Sequence, residues 1–317
     1  MQSPRVTVYF LGWQARYEQI MIEHLAQSHA VRVFLLPVYA RRVVRLARAL
    51  GGASALLRWL GRRASAINKA TINDLLVCNE GQLKRGRQLH LVQGFPGQRV
   101  LLVRDLVDSA FVERMRPLFD RIYSYDPLQC ERLGMLHLEQ FFPFDPDNVR
   151  PPTAEQGAAG QRPLCFFLGR DKGRAHRLQA LAQELGELGC ELDFLIVKDA
   201  TSEAPSSYHV DSVLPYEANL ARAMACDVLV EINQPGQAGL TLRPLEAAFF
   251  DKQLITDNRR VRDTAFYHPD RFYVLGDEQR ELQAFLASKA PVVAPDALRK
   301  HTPTGLLERM LEDAVRG

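Results

Sequence analysis

Apolar runs of strand length alternate with helix-length amphipathic segments along most of the chain, and no other feature constrains its fold more. Strands separated by helical segments are typical of a parallel sheet, in which helices connect the strands. In the first half the predicted strands are 6–11, 29–36, 74–78, 99–104 and 121–125. In the second half they are 164–168, 191–198, 227–232 and 253–256. The alternation therefore predicts an α/β protein with parallel sheets.

A proline-rich stretch separates the two halves. Residues 143–163 contain five prolines and two glycines and lack apolar periodicity, which predicts a linker near residues 147–162. We therefore expect one Rossmann-like domain at 1–150 and a second at 163–317. Ligands of open α/β sheets bind beyond the carboxyl ends of the strands, so we expect the two domains to face a common cleft.

The composition is that of an ordinary globular protein, with 47% hydrophobic and 24% charged residues. No window holds about 18 consecutive apolar residues, which argues against a membrane-spanning helix. The polar N-terminus is unlike a secretory signal. Five dispersed cysteines without a CxxC pair favour reduced thiols over a zinc site or a disulfide framework. We therefore expect a cytoplasmic protein without a bound metal.

A long basic segment departs from this average composition. Residues 24–73 contain nine Lys and Arg and no Asp or Glu, whereas the rest of the chain has 31 basic and 37 acidic residues. Helices predicted at 40–50 and 54–63 have an apolar side and a basic side. The basic sides carry Arg41, Arg45, Arg58 and Arg62. Such helices suit an anionic membrane surface or a phosphorylated glycolipid. An ordinary solvated helix face is the alternative, and no RNA-binding or zinc-finger pattern indicates a nucleic-acid partner.

One glycine-containing loop follows the predicted strand 164–168 and precedes a helix. Its residues Gly169, Arg170, Lys172, Gly173 and Arg174 combine two glycines with three cations. Glycine lets the backbone approach a ligand closely, and a helix N-terminus with cations favours a phosphate or diphosphate. The loop lacks the GxxxxGK[ST] pattern of a Walker motif. A solvated basic turn is the alternative reading.

A second polar, glycine-rich loop follows the predicted strand 227–232. Gly239 and Thr241 open the next helix, where backbone N–H groups would point at a phosphate. Arg243 and Glu246 are three residues apart and share a helix face. Arg243 could therefore meet a phosphate, and Glu246 could accept hydrogen bonds from a ribose diol. The alternative is a surface ion pair between Arg243 and Glu246.

Several segments resemble a known family. In the second half they are 237–246, 252–258 and 266–269, and in the first half they are 101–105 and 119–126. These segments resemble bacterial glycosyltransferases of lipopolysaccharide and capsule synthesis, in the CgeB-like branch of the GT-B superfamily. The resemblance implies a two-domain GT-B fold that needs no metal or other cofactor, with a nucleotide-sugar donor held by the C-terminal domain.

The resemblance also implies roles for individual residues. Arg170 and Lys172 would bind the donor diphosphate, Gly239 and Thr241 would cradle a phosphate, and Glu246 would bind the ribose. Many retaining members carry a glutamate with seven residues intervening before the ribose glutamate. Ala238 stands at that position here, so the inverting or retaining outcome stays open.

Three carboxylates of the first half are candidates for the base that an inverting reaction needs near the acceptor hydroxyl. Glu18, Glu80 and Asp105 each lie shortly after a predicted strand, although each could instead be a capping or surface carboxylate. Trp13 follows the first strand and could stack on an acceptor sugar, with core packing as the alternative.

The sequence thus predicts a hexosyltransferase-type enzyme that transfers a sugar from a nucleotide-sugar donor to a lipopolysaccharide core or another surface glycan. The basic segment would hold it at the inner face of the cytoplasmic membrane. Two other classes stay open: a sugar-nucleotide epimerase on a similar scaffold, and a non-catalytic sugar-nucleotide-binding protein. The acid-free segment favours an acceptor surface over the epimerase.

Overall fold

The computed structural model describes residues 6–34, 69–84, 89–149, 162–276 and 280–316. The chain divides into two compact units. The first comprises Met1–Glu139 and Leu306–Gly317, and the second comprises Gln140–Gly305. The predicted helices at 40–50 and 54–63, with Arg41, Arg45, Arg58 and Arg62, lie outside the described residues.

The C-terminal segment differs from the prediction, which assigned all of 163–317 to the second domain. Leu306–Gly317 belongs to the first unit. There Tyr123 donates its hydroxyl to Asp313 Oδ2 at 3.0 Å, and the Gln98 side chain donates to the Ala314 carbonyl at 2.8 Å. A helix joins whichever core its side chains contact, and the order of elements along the chain does not reveal that choice.

The first unit contains six described strands and five described helices before its C-terminal segment. The strands are β1 (Thr7–Leu11), β2 (Ala30–Phe34), β3 (Leu75–Asn79), β4 (Gln98–Val103), β5 (Arg121–Ser124) and β6 (Leu136–His137). The helices are α1 (Arg16–Leu25), α2 (Glu80–Leu83), α3 (Leu89–Gly94), α4 (Ser109–Met115) and α5 (Pro127–Leu133). All described strand pairs are parallel, in the order β2-β1-β3-β4-β5-β6.

The second unit repeats this architecture. Its strands are β7 (Leu164–Arg170), β8 (Glu191–Val197), β9 (His209–Val210), β10 (Val228–Glu231), β11 (Gln253–Thr256) and β12 (Phe272–Val274). Its helices are α6 (Ala175–Glu187), α7 (Tyr216–Ala225), α8 (Leu242–Phe249), α9 (Leu282–Leu286) and α10 (Pro295–Leu298). Helix α11 (Pro303–Arg316) begins at the end of this unit and continues in the first. The sheet is parallel in the order β12-β11-β10-β7-β8-β9.

The apolar strand runs are explained by burial on both faces of the second sheet. Phe166, Leu229 and Leu254 belong to the core on one face, whereas Val228 and Ile255 belong to the core on the other. Successive side chains of a strand point to opposite faces, so a strand covered on both sides is apolar at every position. Burying each such side chain contributes about 1.5–3 kcal/mol.

Local signals in the sequence set several helix ends. Asp126 accepts a hydrogen bond from the Gln129 N–H, Pro127 occupies the first turn of α5, and Gly134 ends the helix with φ of 61°. These residues supply the N-cap, the fixed φ and the left-handed C-cap that helix termini favour. All five cysteines are buried with free thiols. Within the described residues, no helix is both long enough and apolar enough to cross a bilayer.

Candidate functional site at the two switch points

Each sheet has a switch point, where neighbouring strands are followed by connections that lead in opposite directions. In the second unit it lies between β7 and β10, and in the first between β1 and β3. Open α/β sheets bind ligands in the crevice that such a reversal creates beyond the carboxyl ends of the strands. The loops after β7 and β10 are the two loops that the sequence analysis selected. The predicted α/β class with two Rossmann-like sheets is therefore confirmed.

The turn after β7 presents cations at the surface. Lys172 and Gly173 adopt left-handed backbone conformations, with φ of 47° and 76°. Arg170 and Gly173 are exposed and Lys172 is half-buried, while the Lys172 N–H donates to Asp199 Oδ2 at 3.0 Å. The geometry fits the predicted contact of Arg170 and Lys172 with an anion, which stays a prediction.

The N-terminus of α6 is capped by the protein itself. Asp171 is buried and accepts hydrogen bonds from the Ala175 N–H (2.9 Å), Ser202 Oγ (2.7 Å) and His209 Nε2 (3.1 Å). Burial acts to raise the pKa of Asp171, but these hydrogen bonds outweigh it and hold the pKa below its ordinary value. A carboxylate therefore already interacts with this helix terminus, where the sequence predicted a phosphate.

Arg174 links the two loops of the switch point. Its Nε and Nη2 donate to the Arg170 carbonyl at 3.2 and 2.9 Å, and its Nη1 donates to the Ile232 carbonyl. A Cβ on Gly169 would lie 2.8 Å from Arg174 Nη2. Gly169 therefore makes room for an arginine of the same chain, whereas the sequence predicted room for a ligand. The sequence analysis counted Arg174 among the cations that favour an anion, whereas its guanidinium binds backbone carbonyls of two separate loops.

The loop after β10 is built around a buried carboxylate. Glu231 accepts hydrogen bonds from the hydroxyls of Thr241 and Thr256. Thr241 Oγ1 also caps α8 by accepting the Arg243 N–H at 3.1 Å. Burial raises the pKa of Glu231, and the two hydroxyls partly offset this. The Thr241 hydroxyl is thus engaged inside the protein, and its predicted contact with a phosphate stays a prediction.

Arg243 and Glu246 form an ion pair, as the alternative reading expected, but the pair is inside the protein. The Arg243 side chain is 12% exposed and that of Glu246 is 2% exposed. Arg243 also donates to Asn219 Oδ1 at 3.0 Å and to the Leu168 carbonyl at 3.3 Å. Burial raises the pKa of Glu246, and Arg243 opposes this shift. The ribose contact of Glu246 stays a prediction, and the geometry supports a framework role for both residues.

An open cavity of about 520 Å³ lies beyond the carboxyl ends of β10 and β11. Arg177, Arg259 and Arg260 line it, together with Ala238, the position that lacks the second glutamate. Arg177 pairs with Asp257 at 2.9 Å. Arg259 and Arg260 are exposed and form no ion pair with another described residue. Sequence reasoning missed these arginines, although two of them directly follow Asn258, which caps a short 3₁₀ helix, Arg259–Asp263.

Gly239 follows Ala238 in the loop after β10 and is buried. Its carbonyl accepts a hydrogen bond from Asn258 Nδ2 at 3.1 Å, which ties the loop after β10 to the loop after β11. The backbone of Gly239 therefore has a structural contact. Its predicted contact with a phosphate stays a prediction.

The switch point of the first unit gathers carboxylates around Arg104. Glu18 is buried, and its two oxygens accept from the Ala15 N–H at 2.9 Å and from Asn79 Nδ2 at 3.0 Å. Arg104 Nη1 lies 3.5 Å from Glu18 Oε1. Glu18 is therefore both a capping carboxylate of α1 and a partner of Arg104. The sequence analysis did not single out Arg104.

Glu80 lies in the same cluster. It is buried, and its Oε2 accepts the Arg104 N–H at 3.0 Å. Burial raises the pKa of Glu80, and the Arg104 N–H is among the groups that partly offset it. Asp105 is adjacent in sequence but exposed, and it accepts the Leu106 N–H at 2.9 Å. Because a base works best with a pKa near the working pH, Glu80 suits proton transfer better than an exposed carboxylate does.

Trp13 belongs to the core of the first unit. It is buried, its indole N–H donates to the Val77 carbonyl at 3.1 Å, and its ring meets Phe10 edge to face at 5.2 Å. The predicted stacking on an acceptor sugar is therefore wrong, and the core-packing alternative is correct. An indole directly after a buried strand continues into the apolar layer that the strand borders.

Comparison with known proteins identifies solved structures of similar fold. No family model matches the chain, and no curated protein does. One similar solved structure is an α-glucosyltransferase in complex with UDP and a 13-mer DNA containing a central A:G mismatch. The match covers 99% of this chain and 100% of the other chain, with a TM-score of 0.56 and 10% sequence identity. At this identity the likeness concerns the fold, and the two described α/β units agree with the GT-B type that the sequence analysis predicted.

Two further structures align over most of the chain at lower similarity. MurG of Acinetobacter baumannii has a TM-score of 0.40 and 12% identity over 98% of this chain and 92% of its own. The spinosyn rhamnosyltransferase SpnG, complexed with thymidine diphosphate, has a TM-score of 0.40 and 15% identity over 98% and 94%. The predicted CgeB-like branch stays a prediction.

Proposed function

We propose that this protein is a glycosyltransferase that moves a sugar from a nucleoside-diphosphate donor to an acceptor hydroxyl. The observation that carries the proposal is the different chemistry of the two switch points. Both switch points contain buried carboxylates. The second unit adds exposed cations at its strand ends, Arg259 and Arg260 among them. In the first unit the buried carboxylates Glu18 and Glu80 lie against Arg104. The fold shared with the α-glucosyltransferase over the whole chain supports the same activity.

The second unit would hold the donor. Positive charge lies at the carboxyl ends of the central strands. Arg170 ends β7 and Lys172 is in the turn that follows, and the cavity beyond β10 and β11 is lined by Arg177, Arg259 and Arg260. During transfer the bond from the anomeric carbon to the diphosphate oxygen breaks, and the nucleoside diphosphate leaves with the bonding electrons. Preorganised cations stabilise that developing charge, an effect often worth several kcal/mol.

The first unit would activate the acceptor. As the acceptor oxygen forms its bond to the anomeric carbon, its proton passes to the carboxylate of Glu80. Burial keeps the pKa of Glu80 above the ordinary value for glutamate, which makes this carboxylate a better proton acceptor than an exposed one. Arg104 donates its backbone N–H to Glu80, and its guanidinium lies beside Glu18. It therefore contacts both carboxylates.

We infer that the acceptor is an anionic surface glycan precursor, such as a lipopolysaccharide core, held at the cytoplasmic face of a membrane. This inference is supported by the nine cations and the absence of acids in residues 24–73. Co-sedimentation with anionic and neutral vesicles tests it. Binding should require anionic lipid, fall with salt, and weaken when Arg41, Arg45, Arg58 and Arg62 become Gln. Equal binding to both vesicles would refute it.

The donor role is tested by calorimetric titration with UDP, GDP, dTDP and ADP. Arg170→Ala and Lys172→Ala should each weaken binding of the preferred nucleotide by about tenfold, since charge-assisted hydrogen bonds are worth about 1.5–3 kcal/mol. Arg299→Ala, an exposed arginine of the same unit, is the matched control. Unchanged affinity in both loop variants would refute the donor site. Incubation with the corresponding nucleotide sugars then separates transfer or hydrolysis from epimerisation and from binding without turnover.

A further inference from the structure

A second pocket of the second unit lies at the opposite end of the sheet from the donor loops. Its volume is about 310 Å³, within the range of small-molecule sites, and its lining includes Pro163, Asp227 and Lys252. These three residues directly precede β7, β10 and β11, so the pocket lies at the amino ends of the three strands. The length of β7 separates it from the Gly169–Gly173 turn by about 20 Å.

The backbone at the end of α8 directs Lys252 into this region. Asp251 adopts a left-handed conformation with φ of 56°, and the Lys252 N–H donates to the Ala247 carbonyl at 2.9 Å. This is the Schellman pattern of a helix C-terminus, which turns the chain sharply from the helix into β11. The residue after the left-handed position usually packs inward as an apolar side chain, and here that residue is a lysine.

Arg271 lies beside Lys252, but its charge is already compensated. Its side chain is 1% exposed. Its guanidinium donates to the Ala247 and Lys252 carbonyls, each at 3.1 Å, and it pairs with Asp251. A cation at a helix C-terminus is favoured by the helix dipole and its unpaired carbonyls. The structure therefore explains Arg271 without a ligand.

Lys252 has no such explanation. It is 6% exposed, yet its ammonium forms no hydrogen bond or ion pair with any described residue. The nearby Asp227 accepts the Leu164 N–H, and Asp251 pairs with Arg271. The stem of Lys252 is therefore buried, while its ammonium reaches the pocket without a partner in the described part of the chain and can bind an ion there. Lys289, exposed and also in the pocket lining, adds a second cation.

We propose that this pocket binds a compact oxyanion, such as the phosphate group of a small metabolite, with Lys252 as its anchoring cation and Lys289 at its rim. This site is separate from the donor site, and the proposal does not rest on the proposed function. Its distance from the donor loops means that a ligand here binds alongside a donor and does not compete with it.

Thermal unfolding with increasing inorganic phosphate at constant ionic strength tests the site, because a ligand of the native state raises its stability. The wild type should be stabilised, and Lys252→Met should need about tenfold more phosphate for the same shift. Without phosphate, Lys252→Met should melt near the wild-type temperature, since the apolar side chain keeps the packing of the lysine stem and the lost ammonium has no partner among the described residues. Lys84→Met, in the other unit, should respond as the wild type does.

Three outcomes would overturn the proposal. The first is a wild type that phosphate does not stabilise. The second is an equal response in Lys252→Met and the wild type, which would mark a general salt effect. The third is a response lost in Arg170→Ala and kept in Lys252→Met, which would place the phosphate at the donor loop. Should Lys252→Met fail to fold, the exposed Lys289→Gln decides, because an unchanged phosphate response there would also refute the site.

Discussion

Replacing Glu246 by Gln should destabilise the protein far more than removal of a comparable surface charge. The substitution keeps the shape of the side chain but leaves the Arg243 guanidinium, only 12% exposed, without its carboxylate. Breaking one partner of a buried ion pair costs about 3–5 kcal/mol, because the remaining charge stays desolvated. For a domain of this size that corresponds to a fall in Tm of about 6–20 °C.

A matched control lies in the same unit. Asp296 and Arg299 form an ion pair with the same three-residue spacing, but their side chains are 84% and 76% exposed. Asp296→Asn should therefore change the free energy of unfolding by about 0–1 kcal/mol. Urea denaturation of the two variants, followed by circular dichroism, measures the contrast directly.

A double variant separates the cost of the unpaired charge from the loss of the pair itself. Arg243→Met combined with Glu246→Leu should recover most of the lost stability, because an apolar pair of similar volume replaces a buried ion pair at little cost. The reasoning fails if Glu246→Gln stays within about 1 kcal/mol of the wild type. If nucleotide affinity then fell as well, Glu246 would face the ribose, as the family resemblance implied.

Three further predictions concern the switch points. The raised pKa of Glu231 means that its carboxyl group binds a proton more tightly in the folded protein than in the unfolded chain. The contribution of Glu231 to stability should therefore decline as pH rises from about 4.3 through the raised pKa. Glu231→Gln should remove that decline, and an identical pH dependence of stability in both proteins would contradict the prediction. Gly173→Ala should lower the free energy of unfolding by about 1–2 kcal/mol, because φ of Gly173 is 76°, although a Cβ there would meet no atom within 4 Å. If urea denaturation showed no loss of stability, the turn would have relaxed to accept the alanine. Glu80→Gln should abolish the rising limb of the pH–rate profile for transfer without unfolding the protein, whereas a retained limb would assign the base elsewhere.

The sequence was sufficient for the elements whose signal is local. Strand Gln253–Thr256 lies where the pattern predicted it, and strand Val228–Glu231 falls within the predicted run 227–232. The strand runs also located the two loops that meet at the β7–β10 switch point. These predictions succeed because apolar periodicity and glycine positions depend on a few neighbouring residues.

The tertiary structure decided what those loops do. Gly169 accommodates the guanidinium of Arg174, and Asp171 caps the helix that the sequence left open for a phosphate. Neither contact follows from residue type, because a glycine before a helix serves a ligand and a neighbouring side chain equally well.

The tertiary structure also decided the contacts of residues that are far apart in the chain. Arg104 joins Glu18 to Glu80, and Leu306–Gly317 belongs to the first unit after 166 residues of the second. Lys252 stands in the sequence as an ordinary surface lysine before a strand, and only the packing around it buries its stem and places its ammonium in a pocket. The amino-acid pattern alone determined which segments are strands and helices. Strand order and side-chain burial were decided by contacts between distant residues, since a charge or a glycine acquires its role from the neighbours that folding supplies.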